Sequence, residues 1–293
     1  MTAPGTPPVI GIIGGSGLYN MKGLTNTEWR QIDSPFGAPS SDLLFGEIGG
    51  QKVVFLPRHG KGHRIPPNRI NYRANIDVLK RAGVTEILSL SACGSLKQEL
   101  PPGCFVVVDQ FIDRTFQREK SFFDTGCVAH VSVADPTCHR LMDDVVWTLE
   151  ELDFMHQRNG IYLAMEGPQF SSRAESNLYR QWGCDVIGMT NMPEAKLARE
   201  AELCYCSVAM VTDYDCWHPH HDAVTVDQVI SVLLGNAEKA QALVAAVVPK
   251  LAQRGESCPR GCHTALDHAI ITAPDARDPD LVKKLDAVAG RAL

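Results

Sequence analysis

Seven short apolar runs, each closed by turn residues, limit this chain more than any other feature: Val9–Ile13, Val53–Leu56, Glu86–Leu90, Phe105–Val108, Ile161–Met165, Val186–Met189 and Tyr205–Val211. Several are continuous rather than alternating, the pattern of strands covered on both faces. Helical periodicities lie between them. Asn71–Ala82 opens on a capping asparagine and stops at Gly83, and Pro193–Ala201 sets proline at a first helical position. Val226–Val248 repeats apolar residues at three- and four-residue steps, which predicts a long amphipathic helix. Gly49-Gly50, between Asp42–Ile48 and Gln51–Leu56, reads as a hairpin turn. Strands alternating with helices predict an α/β fold with a mixed or largely parallel sheet flanked by helices. From Gln253 onward Gly, Pro, Cys and charge dominate, with a short helix expected at Asp280–Ala287, so 253–293 reads as an appendage to a core of about 9–250.

Charge narrows the partners. A formal charge of −6 argues against general nucleic-acid binding, which needs a basic excess. The start of the chain carries no secretory pattern and no apolar run approaches bilayer length, so a cytoplasmic protein without a membrane partner is expected. The ten cysteines are scattered. Cys204 and Cys206 share one face of an apolar strand and read as small buried hydrophobes. Cys258 and Cys262 are close enough in sequence to be bridged, though a cytosol keeps such thiols reduced.

Five stretches can carry chemistry. The Gly14-Gly15-Ser16-Gly17 turn follows an apolar strand but lacks the third glycine of a dinucleotide fingerprint and the lysine of a P-loop. It offers backbone N–H groups and a hydroxyl to a small anion. "PRHGKGHRIPPNR" gathers Arg58, His59, Lys61, His63, Arg64 and Arg69 after a strand, which suits an anion site. "SACGS" (91–95) is expected as a turn of small residues after another strand, with Cys93 as packing. "EGPQFSSRAES" sets Phe170 beside hydroxyls, suited to a flat heterocycle, before a helix starting at Ser171 or Ser172. In "MVTDYDCWH", Asp213 and Asp215 face the same way if extended, and paired carboxylates raise one another's proton affinity. Cys216, His218, His220 and His221 follow, but their spacing fits no zinc pattern, and no metal is expected.

In order along the chain, "GIIGGSGLY", "PRHGKGHRIPPNRINYRANI", "SACGS", "DQFIDRT", "EGPQFSSRAES", "GMTNMPEAKLARE" and "VTDYDCW" resemble the trimeric nucleoside phosphorylase family from about Val9 to Lys250. The resemblance implies a single α/β domain over 1–293, with a twisted, partly barrel-like mixed sheet, assembled as a homotrimer. It implies phosphorolysis of 5′-methylthioadenosine to adenine and 5-methylthioribose 1-phosphate, as in methionine and purine salvage. Inorganic phosphate is then a co-substrate, and no organic cofactor or metal is called for. By the same resemblance Ser16, Arg58, His59, Ser91, Ala92 (backbone N–H) and Thr190 surround phosphate. Met189 lies against the ribose, Phe170 and Ser171 flank the base, and Val229 lines the thio pocket. Asp213 and Asp215 act at N7 and the 6-amino edge, and His130 arrives from a neighbouring subunit. Relatives selective for 6-oxopurines carry Asn at the position of Asp213, so "TDYD" points to adenine nucleosides. Ser16 and Ser91 stand where threonine is common, which keeps the hydroxyl. The rivals are a purine nucleoside phosphorylase of broader range, a nucleotide-binding protein without turnover, and a Rossmann oxidoreductase, which the glycine spacing disfavours.

Overall fold

The long strand β5 (Glu86–Ser95) organises the molecule because it pairs with three others. In the computed structural model, which describes residues 8–15, 17, 18, 20–218, 226–253 and 258–293, eleven strands form one mixed sheet. The others are β1 (Ile10–Gly14), β2 (Leu24–Arg30), β3 (Leu43–Ile48), β4 (Gln51–Pro57), β6 (Phe105–Val108), β7 (Gln110–Arg114), β8 (His156–Arg158), β9 (Ile161–Met165), β10 (Val186–Gly188) and β11 (Cys204–Tyr214). The path β2-β3-β4-β1-β5-β10-β9-β7 branches at β5 to β11, β6 and β8, giving the expected mixed sheet, which is not closed.

The helices are α1 (Tyr72–Arg81), α2 (His139–Glu151), α3 (Arg173–Gln181), α4 (Asn191–Glu200), α5 (Val226–Ala252), α6 (Pro279–Lys284) and α7 (Asp286–Ala289). Side chains alternate between two cores. Cys204, Cys206 and Val208 of β11 join Leu141 and Val145 of α2 and Leu243 and Val247 of α5 on one face. Tyr205 and Val211 join Leu79 of α1 and Leu197 and Ala198 of α4 on the other. That double coverage is why the strand reads as unbroken apolar sequence. The tail is built into both layers: Cys258 and Cys262 lie in the first core, and Leu266, Leu285 and Val288 in the second.

Local signals account for the boundaries. Asn71 caps α1 by accepting the Ala74 N–H at 3.1 Å. Gly49 and Gly50 both take positive φ in the two-residue β3–β4 turn, as the expected hairpin requires. The terminal helix breaks at Leu285 into α6 and α7 rather than running unbroken over Asp280–Ala287. "SACGS" is not a turn. β5 continues through it because β11 and β10 pair with it as far as Ser95. Four elements have no counterpart among the sequence expectations: β2, β7, α2 and β8. Among the described residues no helix is long and apolar enough to cross a membrane.

Candidate active site

Strands β1, β4, β5 and β11 run parallel and end at one edge of the sheet. Ligands of open α/β sheets sit beyond such strand ends. Arg58 and His59 follow β4, Ser91 and Ala92 lie toward the end of β5 and Asp213 toward that of β11, and Met189 and Thr190 follow β10, which pairs antiparallel with β5. Ser16 and Val229 are the exceptions in description: Ser16 and the Val229 side chain lie outside the described residues, as do His220 and His221.

The basic segment after β4 divides. Lys61, His63, Arg64 and Arg69 are exposed, and Lys61 Nζ sits 3.5 Å above the Trp29 ring. Arg58 instead turns inward and is 2% exposed. Its fork closes on a protein carboxylate, Nε and Nη2 donating to Glu194 Oε2 and Oε1 at 2.8 and 3.1 Å. Nη2 also reaches Ser89 Oγ at 2.6 Å, and Nη1 donates to the Leu90 carbonyl at 3.0 Å. Among the described residues four of the five guanidinium N–H groups are taken, which leaves one on Nη1 for an anion. Burial works against the Arg58 charge, and Glu194 more than offsets it, holding the guanidinium protonated. His59 places Nδ1 2.9 Å from the Ile65 carbonyl, and burial pulls its pKa down to about 4. The ring is therefore neutral at pH 7, with Nδ1–H donating and Nε2 an acceptor.

Ser91 and Thr190 meet through Asn191. Ser91 Oγ donates to Asn191 Oδ1 at 3.0 Å, and Thr190 Oγ1 lies 3.5 Å from the same oxygen. Asn191 is fully buried and donates to Tyr205 Oη and Ser207 Oγ at 3.0 and 2.5 Å. The adjoining Ala92 is exposed.

Asp213 and Asp215 both approach Gly94 of β5. The strand carries an irregularity between Val211 and Asp213, after which Asp213 pairs with Gly94. A Cβ at Gly94 would lie 3.5 Å from both Asp213 Oδ2 and Asp215 Cβ, so both acids sit against this glycine. Thr212 Oγ1 donates to Asp213 Oδ1 at 2.6 Å, leaving Oδ2 on the Gly94 side. Asp215 Oδ2 is buried without a hydrogen-bond partner among the described residues. Both carboxyls are raised above the usual range. Burial is the first cause in each case, and the Asp215 charge adds only a smaller push to Asp213. The upward shift is as the paired carboxylates predict, but burial rather than mutual repulsion is its main cause.

Phe170 is 83% exposed and Ser171, beside Asp215, is half-buried. Ser172, not Ser171, caps α3 in a reciprocal box with Glu175, which leaves the Ser171 hydroxyl outside the helix. Met189 is held through its backbone: its carbonyl accepts from Arg118 Nη1 at 2.6 Å. Arg118 also binds Glu166 Oε1 at 3.0 Å and the Glu166 carbonyl at 2.6 Å, pinning the loop that carries Phe170. His130 lies apart and exposed, its N–H donating to the Ala269 carbonyl at 2.8 Å.

Glu194, Asn191, Arg118 and Glu166 were not among the expected site residues, although each lies in or beside a quoted motif. Cys93 is buried and its thiol is pushed well up by burial, in keeping with packing. His218 Nε2 lies 2.9 Å from Gln98 Oε1 and its ring stacks on Tyr214, while Cys216 is exposed and donates to the Ser171 carbonyl. The four thiols that do converge are elsewhere: Cys138, Cys204, Cys258 and Cys262.

The model of the Phosphorylase superfamily matches residues 9–249. S-methyl-5′-thioadenosine phosphorylase of Rhodospirillum rubrum is 62% identical over 286 residues, covering 98% of this chain and 97% of that protein. The enzyme of the same name from Geobacter sulfurreducens is 50% identical, covering 96% and 98%. Among solved structures, a methylthioadenosine phosphorylase from an antarctic soil metagenomic library superposes with a TM-score of 0.91 at 46% identity, covering 97% of this chain and 99% of that one. Methylthioadenosine phosphorylase from Schistosoma mansoni, in complex with adenine, gives a TM-score of 0.79 at 35% identity, covering 88% and 96%.

Proposed function

The chain belongs to the phosphorylase superfamily, and we infer from that membership and from the site that it cleaves 5′-methylthioadenosine with inorganic phosphate. The products are adenine and 5-methylthioribose 1-phosphate. The observation that carries this reading is the approach of Asp213 and Asp215, both carboxyls raised chiefly by burial, to Gly94 of β5, three residues beyond Ser91 and its cluster with Asn191 and Thr190.

In the mechanism we propose, phosphate lies between the β1 turn, Ser91, the Ala92 N–H and Thr190, with one Nη1–H of Arg58 directed at it. A neutral His59 meets it through Nε2, as acceptor from a P–O–H. As the glycosidic bond stretches, the ribose gains cationic character that phosphate stabilises before it attacks the anomeric carbon. The leaving purine gains negative charge, and Asp213 supplies or shares the proton at N7. Its raised proton affinity suits that task. Asp215 works at the 6-amino edge, Phe170 and Ser171 flank the base, and Met189 lies against the sugar. Positioning and electrostatics carry the rate, and no organic cofactor enters. Val229 and Ser16 belong to the same reading, at the thio pocket and the phosphate. We further read the protein as a cytoplasmic homotrimer in salvage metabolism, with His130 completing a neighbour's site. Exposed Val128 and Ile271, hydrogen-bonded to each other beside His130, are apolar surface of the kind a subunit would cover.

Release of free base from 5′-methylthioadenosine, adenosine and inosine, each with and without phosphate, tests the reading. Phosphate-dependent adenine release, fastest from the methylthio substrate, is expected. Preferential release from inosine would overturn the base assignment, and no release at all would overturn turnover itself.

A further inference from the structure

Cys138, Cys204, Cys258 and Cys262 come from three distant parts of the chain, yet their Sγ atoms all lie within 4.8 Å of one another. Cys138 precedes α2, Cys204 opens β11, and the other two sit in the tail. We propose that these four thiols form a structural zinc site that fastens the C-terminal segment to the sheet.

Geometry is the first support. A tetrahedral zinc with Zn–S near 2.3 Å requires S···S edges of about 3.8 Å. Cys258 Sγ is 3.5 Å from both Cys138 Sγ and Cys262 Sγ. One thiol placed equally near two others, with a fourth in reach, is the arrangement of a common centre rather than of two separate pairs. Local sequence is the second. Cys258-Pro-Arg-Gly-Cys262 has the short spacing of paired zinc thiolates, and Gly261 takes φ +66°, turning the chain between the ligands while its N–H donates to the Cys258 carbonyl.

The surroundings suit thiolates on a dication. All four cysteines are buried in one apolar core, a closed shell without the open position that a catalytic zinc keeps. Arg140, ion-paired with Glu86, also places Nη2 3.7 Å from Cys204 Sγ, a donor beside that thiol. Cys138 stands at the N-terminal end of the 13-residue α2, where the helix field favours an anion. Binding would send the thiol protons to solvent and exchange no electrons. Cys204 and Asp213 sit at opposite ends of β11, nine residues and so about 30 Å apart, which separates this site from the chemistry. Its reach is through the tail, whose Ala269 and Ile271 are hydrogen-bonded to His130 and Val128.

The test is metal analysis of the full chain, purified under reducing conditions from zinc-supplemented culture, alongside a C258S/C262S variant and a C216S control. About one zinc per chain is expected in the wild type and in C216S, and none in the double variant. Cobalt exchanged into the wild type is expected to show thiolate charge-transfer bands and tetrahedral visible bands. Stripping the metal is expected to speed proteolysis after Lys250. A metal-free wild type with every thiol reactive after denaturation overturns the proposal, and so does one with four thiols held in two disulfides. Zinc that stays in the double variant overturns it as well. None of these readouts depends on turnover, so the result stands apart from the proposed reaction.

Discussion

Asp213 shows how a neighbour can decide what a carboxylate offers to a ligand. Thr212 occupies Oδ1, so in the proposed reaction the atom offered to the base is Oδ2. In Asp213→Asn, Oδ1 can still accept from Thr212, and the amide N–H₂ then takes the place of Oδ2. That group suits a 6-oxo purine and opposes a 6-amino one. Activity on adenine nucleosides is expected to fall by orders of magnitude, and on inosine far less; steady-state rates on both substrates check it, and an equal loss would remove Asp213 from the base edge. Glu194 makes a similar case for Arg58. The pair is 2% exposed on each side, and Glu194→Gln leaves a buried guanidinium without its counter-charge. The expected cost is about 3–5 kcal/mol of stability, with a raised KM for phosphate, read from denaturant melts and phosphate titrations. An unchanged melt would mean that Arg58 finds another partner. Arg58 itself is legible in the sequence as a candidate, but its partner is not, because the two are 136 residues apart and only the sheet brings them together. Asn191 is hidden from sequence reading in the same way, 100 residues from Ser91.

At the scale of elements, what the sequence reveals follows from where each segment is buried. Strands covered on both faces, such as β6, announce themselves as apolar runs. β2 is an exposed edge strand of sequence LTNTEWR, with neither a run nor an alternation to read. β8 spans only His156–Arg158, too short to carry a period. α2 differs, since Leu141, Met142, Val145, Val146 and Leu149 are spaced for a helix and all are buried. Its signal was present and stood outside the motifs. The end of α4 shows an effect only the packed structure can give. Glu200 accepts from Ser121 Oγ at 2.8 Å and the Phe122 N–H at 2.7 Å, and burial pushes its pKa from 4.5 to about 7. A folded-state pKa above the unfolded value means that the native state holds the extra proton between those limits, so stability falls as pH rises from about 4.5 to 7. The contribution reaches at most about 3 kcal/mol. Glu200→Gln, neutral throughout, is expected to flatten that part of the stability profile. Melts of both proteins from pH 4.5 to 8 check it, and parallel profiles would assign the slope to other groups.

For the whole molecule, Arg58, Ser91, Thr190, Asp213 and Asp215 come together around β5 within one chain, while His130 pairs with the tail. Its segment is paired with the tail through the Ala129–Ile270 bridge. If His130 serves a neighbour, a defect there and a defect at Asp213 damage different sites of a ring. Chains carrying His130→Ala retain Asp213, and chains carrying Asp213→Asn retain His130. In trimers assembled at random from equal amounts of both, about one quarter of the sites pair an intact Asp213 with an intact neighbouring His130. Dissociating and reassembling the mixture is therefore expected to raise the rate above the mean of the two parent variants. Mixing without subunit exchange should give no gain. If His130 acted within its own chain, every site in the hybrid would keep one defect, and the rate would stay at that mean even after full exchange. Light scattering on the same samples fixes the ring size, and a fully active monomer would refute the shared site outright.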